Sequence, residues 1–238
     1  MTEIEEVKDF WNQAACGETL LLSSRSIEGF KARADERYRL EPYIIPFADF
    51  ANTNELNVLE VGLGPGADHE RFAKAGATLY GIDITPRAVS IAKQRLEMQR
   101  LVSDVRVGDA EALPYANGTF DLVYSLGVIH HSPDTLKAAQ EILRVLKPGG
   151  RFRVMVYHTR SLVGAMLWLR YGLARGRPFT PLAQIYSKYL ESPGTKAYSC
   201  DEAARFFANA SNVVTQVLSL PMAIYSIREQ ANGTRAGF

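Results

Sequence analysis

The sequence predicts an α/β fold in which a mostly parallel sheet is covered by helices on both faces. Two observations carry that prediction. From Leu56 onward short β-type runs alternate with helical patterns, the arrangement of strands joined by crossover helices. A glycine-rich turn, Gly62-Leu63-Gly64-Pro65-Gly66, joins the first β-type run to the first helical pattern. The chain of 238 residues, 47% hydrophobic and 22% charged, suits one large domain whose core needs neither disulfides nor a structural metal.

Residues 1–54 read as mostly helical and carry Phe10, Trp11, Phe30, Tyr38, Tyr43 and Phe47 ahead of the sheet. We read them as a helical lid. Strands are expected at Leu56 to Val61, Thr78 to Asp83, Val105 to Val107, Phe120 to Ser125 and Phe152 to Tyr157, with Val213 to Leu218 and Ala223 to Ile227 as a closing pair. Gly76 ends the helix that follows the first strand. Thr85 caps the next helix, with Pro86 at its first position and Val89, Ala92 and Leu96 on one face. Ser132-Pro133 repeats the device for a helix carrying Leu136, Ala139, Leu143 and Leu146, which should stop in a turn at Lys147-Pro148-Gly149-Gly150. Residues 159–198 form an irregular insertion after the fifth strand, of the kind that shapes a pocket. Ser199, with Glu202 three positions later, then opens a closing helix in a capping-box pattern. The whole is read as a single domain with a lid (1–54), a core (55–158), the insertion (159–198) and a closing helix and strands (199–238).

Lys+Arg number 27 against 26 Asp+Glu, a formal net charge of +1, so no global field draws the chain onto nucleic acid. Cys16 and Cys200 lie far apart, which excludes a disulfide scaffold or a cysteine-rich zinc module and fits a cytoplasmic location. The acidic start Met1-Thr2-Glu3-Ile4-Glu5-Glu6 is unlike a signal peptide. The longest apolar run, Leu162 to Leu169, is far short of the roughly 18 to 20 residues of a transmembrane helix.

The chemistry concentrates at the glycine turn. Gly62, Gly64 and Gly66 let the backbone approach a ligand beside a helix N-terminus with free N–H groups. Asp83 ends the next strand, where a carboxylate accepts hydrogen bonds from both hydroxyls of a ribose. The same residues, read as Gly62-x-Gly64-x-x-Ala67 with Asp83, satisfy a permissive NAD fingerprint. Asp109, in Gly108-Asp109-Ala110-Glu111-Ala112-Leu113-Pro114 after the third strand, argues the other way, because it supplies the acceptor that an adenine amino group needs.

Glu60-x-Gly62-x-Gly64-x-Gly66, Asp83, Gly108-Asp109-Ala110-Glu111-x-Leu113-Pro114, Phe120-Asp121-Leu122-Val123 and Leu146-Lys147-Pro148-Gly149-Gly150 occur in that order. From about Asn57 to Tyr157 the chain resembles the class I S-adenosylmethionine-dependent methyltransferases, with its closest likeness to the ubiquinone and menaquinone biosynthesis branch. The resemblance implies a Rossmann-like sheet of seven strands with one antiparallel. It implies S-adenosyl-L-methionine as cofactor, with Glu60, Gly62, Gly64 and Gly66 at its methionine part and Asp83, with Ile84, at the ribose. Asp109 and Ala110 would meet the adenine, and Ser125 and Leu126 the wall beside the sulfonium.

His130 and His131 follow the fourth strand at the same sheet edge. We take His130 as the candidate general base toward a phenol, thiol or amine. No metal is expected, since two adjacent histidines of a regular element cannot face one ion. From Ile142 through Leu190 there is no Asp or Glu, while nine Lys and Arg occur. Inside this block residues 160–177 combine an apolar run with Trp168, Tyr171 and flanking arginines, a pattern either of a membrane-surface contact or of side chains that pack onto the sheet. The expected function is methyl transfer to a small, lipophilic or aromatic acceptor by direct in-line displacement. An NAD-dependent oxidoreductase and a non-catalytic cofactor- or partner-binding domain stay open at this level.

Overall fold

The computed structural model describes residues 2–13 and 24–217 and the backbone of 224–229. Cys16, Leu218 and Ala223, named above, lie outside the described residues. The chain begins with helices α1 (Glu3–Gln13), α2 (Ile27–Leu40) and α3 (Ile44–Ala48). It then alternates β1 (Asn57–Val61), α4 (Ala67–Lys74), β2 (Thr78–Asp83), α5 (Pro86–Met98), β3 (Asp104–Val107), β4 (Phe120–Leu126), α6 (Thr135–Val145) and β5 (Leu146–Tyr157). Helices α7 (Leu162–Tyr171), α8 (Leu182–Tyr189) and α9 (Cys200–Phe206) precede β6 (Val213–Val217) and β7 (Ile224–Glu229).

The strand order is β3-β2-β1-β4-β5-β7-β6. Parallel ladders join five strands, β3 through β5. The remaining two are tied on by antiparallel pairing: β7 runs against β5, and β6 pairs with β7 alone. The expected mostly parallel sheet is therefore present, but its parallel ladder spans five strands, and β6 contributes no parallel pairing.

Alternation along the strands divides the core. Leu59, Val61, Val123, Val154 and Val156 point to the face covered by Ala138, Ala139, Ile142 and Val145 of α6 and Ala203 of α9. Their neighbours Val58, Leu122, Tyr124, Met155 and Tyr157 point to the opposite face, under Tyr38 of α2, Ile44, Phe47 and Ala48 of α3 and Phe72 of α4. Strands with both faces covered must be apolar at successive positions, which is why β1 and β4 read as continuous rather than alternating runs. Each such side chain contributes about 1.5–3 kcal/mol on burial.

Helices α2 and α3 are thus a layer of the core rather than a cover, with Phe30, Tyr38, Ile44 and Phe47 all buried. Polar bonds lock that layer down. Buried Asp68 on α4 accepts from Tyr38 Oη at 2.8 Å, Tyr124 Oη at 2.9 Å and Arg37 Nη2 at 3.1 Å. Arg153 of β5 donates to Phe47 O at 2.5 Å and to Asp49 at 2.7 Å.

Two local expectations are corrected. The cap of α6 is Asp134, which accepts from Lys137 N, and Ser132-Pro133 precede it. An aspartate placed immediately before the helix out-competes a serine two residues earlier, and the buried face becomes Ala138, Ala139, Ile142 and Val145 while Leu136 is exposed. The Lys147-Pro148-Gly149-Gly150 segment lies within β5, where the register against β4 jumps between Phe120↔Leu146 and Leu122↔Arg151. Gly149 there takes φ +75°, so the turn survives as an irregularity inside the strand. The caps at Thr85 and Ser199 form as read, the latter as a full capping box with Glu202.

Candidate functional site

One cleft runs along the carboxyl ends of the parallel strands, where the order reverses between β1 and β4 and the loops part. The glycine turn forms its floor. Gly62 N and Leu63 N both donate to Ile82 O, at 2.8 and 3.1 Å, holding the turn beside the end of β2. Gly64, at φ +53°, has no atom within 4 Å of where a Cβ would stand, so its bare backbone faces open space in the cleft. Gly66 serves differently: an added Cβ would sit 3.1 Å from Ala92 Cβ, and the residue lets α4 and α5 pack closely rather than lining the cleft.

Asp83 is clamped from its own end of the sheet. One oxygen accepts from Gly64 N at 3.0 Å and the other from Thr85 N at 2.9 Å and Thr85 Oγ1 at 2.8 Å. Burial raises its carboxyl above the usual aspartate value, and these three bonds oppose that shift. Asp109 accepts from Glu111 N at 2.9 Å, a local turn that holds its carboxylate at the cleft edge next to Ala110. Ile84 and Leu126 also line the cleft.

Glu60 at the end of β1 faces both the cleft and His69, whose Nδ1 is 2.8 Å from Glu60 Oε2. Burial, reinforced by nearby Asp68, holds the Glu60 carboxyl well above the usual range, and burial pushes His69 down to about 3. On its other side His69 Nε2 lies 2.8 Å from Ser103 Oγ.

Of the residues read from sequence, Glu60, Gly62, Gly64, Asp83, Ile84, Asp109, Ala110 and Leu126 meet at the cleft, and Gly66, Ser125 and His130 do not. Ser125 is fully buried, and its Oγ has no hydrogen-bond partner among the described residues. His130 is fully buried between the rings of His131 and Tyr157, with centroids at 4.2 and 4.1 Å. Among the described residues neither of its ring nitrogens has a partner, and burial lowers its pKa far below that of a free imidazole. His131 is the histidine that lines the cleft.

Around His131 the structure assembles a group that sequence reading missed. The loop after α8 folds back so that Ser192 Oγ and Thr195 Oγ1 lie 2.8 and 3.1 Å from His131 Nδ1. Lys196 N donates to His130 O at 3.1 Å, fixing that loop to the turn after β4. Glu191 then reaches the cleft, its Oε2 accepting from Tyr157 Oη at 2.8 Å and lying 3.4 Å from His131 Nε2. Trp11 of α1 closes over the group with its ring 5.2 Å from that of His131. Trp11, His131 and Tyr157 were each visible in the sequence at an aromatic segment or a strand end, but Glu191 was not, because it sits in an irregular segment with no motif around it.

The short turn Ile129–His131 also departs from the regular geometry on which the metal argument rested. It brings His130, His131 and Glu191 together with donor atoms up to 4.8 Å apart. That is looser than the roughly 3.3 Å between neighbouring ligands of a tetrahedral zinc site.

Residues 59–154 match the model of a methyltransferase domain. The chain is 38% identical over 143 residues to the ubiquinone biosynthesis O-methyltransferase of Cereibacter sphaeroides, covering 55% of this chain and 57% of that protein. It is 33% identical over 151 residues to the demethylmenaquinone methyltransferase of Tropheryma whipplei, covering 62% of each. An uncharacterized protein of Mycobacterium tuberculosis is 34% identical over 126 residues, 53% of this chain and 44% of that one. The chain thus spans about half the length of the curated relatives it matches. Among solved structures, magnesium protoporphyrin IX methyltransferase from Synechocystis, with bound SAH, superposes with a TM-score of 0.64 at 14% identity over 93% of this chain and 96% of that one. A SAM-dependent methyltransferase from Aquifex aeolicus gives 0.57 at 18% identity over 87% and 99%. These two likenesses establish the fold. The glycine turn, Asp83 and Asp109 share one cleft, and the methyltransferase-domain match runs over the same strands, residues 59–154, which supports the class I S-adenosylmethionine-dependent likeness and the cofactor expected from the sequence.

Proposed function

We propose that this protein transfers a methyl group from S-adenosylmethionine to a small lipophilic or aromatic acceptor by direct in-line displacement. The observation that carries the reading is the continuity of one cleft from Asp109 and Asp83, past Gly62 and Gly64, to the His131–Glu191–Tyr157 group under Trp11. Its residues fit the cofactor: an open glycine backbone, a clamped carboxylate with lone pairs to spare, and a second carboxylate at the edge. When bound, S-adenosylmethionine supplies a methyl group already activated by its sulfonium.

The chain's own work is positioning, exclusion of water and movement of one proton. Asp83 accepts from the ribose hydroxyls and Asp109 from the adenine amino group. Trp11, Val7 and Ile4 of α1 cover the cleft, giving an apolar wall for a greasy acceptor. Glu191, steadied by the Tyr157 hydroxyl and flanked by His131, takes the proton from an attacking hydroxyl, thiol or amine. The base role expected of His130 passes to this group because His130 is sealed beneath it. The ubiquinone and menaquinone relatives support aromatic acceptors as the first class to screen.

Titration calorimetry with S-adenosylmethionine, S-adenosylhomocysteine and NAD tests the reading. Binding of the first two and not the third is expected. Binding of NAD alone would replace the proposal with an oxidoreductase, and silence from all three would replace it with a non-catalytic domain.

A further inference from the structure

The insertion after β5 forms a hairpin of α7 and α8 whose inner side is fully used. Gly164 packs directly beneath Tyr186, Trp168 Nε1 donates to Pro178 O at 3.2 Å, and the rings of Tyr171 and Tyr189 stack at 3.8 Å. Its outer side is not covered. Leu162, Met166 and Leu169 recur at intervals of four and three residues as one stripe of α7, Leu173 follows in the turn beyond its end, and the four are 61, 60, 51 and 48% exposed. Phe179, at the far end of the hairpin, is 96% exposed. Large side chains so placed are not left over from core packing, since the core of the hairpin is made by other residues.

The charge around this stripe has one sign. Arg160, Arg170, Arg175, Arg177 and Lys188 are all exposed. No Asp or Glu occurs between Ile142 and Leu190, in a chain whose total charge is only +1. Among the described residues no helix is long and apolar enough to cross a membrane. An apolar stripe with an exposed aromatic tip and a rim of arginines is the composition of a helix that lies in the plane of a bilayer surface, apolar side down and cations at the headgroups.

We propose that the α7–α8 hairpin docks this protein onto an anionic lipid surface, with the Leu162–Leu173 stripe and Phe179 entering the acyl boundary and the arginines meeting lipid phosphates. A protein partner with an apolar face would not require the uniform positive rim, and the charge therefore selects lipid. The hairpin runs directly into Glu191, so docking sets the cleft mouth close to the membrane. The proposal goes beyond the methyl-transfer reading and does not depend on it.

Co-sedimentation of the full chain with vesicles tests it. The protein should pellet with phosphatidylcholine vesicles containing phosphatidylglycerol and much less with phosphatidylcholine alone, and added salt should release it. Arg170→Gln with Arg177→Gln should weaken partitioning about fivefold per charge removed. Leu169→Glu with Phe179→Glu should abolish it, while the thermal midpoint of both variants stays at the wild-type value because all four side chains are exposed. Equal pelleting with neutral and anionic vesicles, or partitioning unchanged in both variants, would overturn the proposal. So would self-association that Phe179→Glu abolishes in a protein that ignores vesicles, since the stripe would then bind a second copy.

Discussion

Asp83 is one carboxylate that holds the turn and lines the cleft. Its two oxygens hold Gly64 N and Thr85 while facing the cleft. Asp83→Ala should lower S-adenosylhomocysteine affinity by at least tenfold, as charged hydrogen bonds contribute about 1.5–3 kcal/mol each, and calorimetry would show it. Unchanged affinity would remove Asp83 from the site. Glu191 and His130 should separate by their roles. Glu191→Gln should reduce kcat by about 10²–10⁴ with S-adenosylhomocysteine affinity unaltered, whereas His130→Ala should chiefly cost stability by hollowing a buried stack. His69 predicts a pH dependence. Its folded pKa lies below the unfolded value, but above about 4.3 the raised Glu60 carboxyl beside it offsets the effect by keeping a proton that the unfolded chain has lost, so the stability drains away as pH falls from there toward about 3. Urea unfolding at several pH values should show this acid limb, and His69→Gln should flatten it.

Among the elements, local chemistry decided where helices begin. Thr85 with Pro86 and Ser199 with Glu202 act within four residues of chain, and both caps were legible for that reason. Ser199→Ala should lower the unfolding free energy by about 1 kcal/mol, measurable by denaturant titration, and a null effect would mean α9 is held by packing alone. The α6 cap was misread because two acceptors, Ser132 and Asp134, stand two residues apart, and only the docking of the helix onto the sheet chose between them. The glycine pair at 149 and 150 was read as a stop, but the hydrogen bonds of β4 recruit that segment into β5. Pairing with a distant strand is not written in a local turn pattern.

For the molecule as a whole, the N-terminal helices matter more than the idea of a lid allowed. Asp68 binds Arg37, Tyr38 and Tyr124 and so ties α2, α4 and β4 at one buried point lining the cleft. Asp68→Ala would take from the largely buried Arg37 guanidinium the nearer of its two carboxylates, leaving Glu41 at 3.5 Å, and would strip the Tyr38 and Tyr124 hydroxyls of their acceptor, and we expect a loss of about 3–5 kcal/mol of stability together with weaker cofactor binding. Loss of neither in unfolding and calorimetric measurements would make α2 a loosely held cover after all. The parallel core and the glycine-turn side of the cleft were readable because strand, glycine turn and acidic strand end repeat at short range, each within a single βα unit. The opposite side was not. Trp11, His131, Tyr157 and Glu191 come from four separate parts of the chain, and they meet only when α1 and the loop after α8 close on the turn behind β4. Which histidine faces the cleft was likewise beyond reach, for His130 and His131 are chemically alike and adjacent. Burial alone distinguishes them, and burial is a property of the packed molecule.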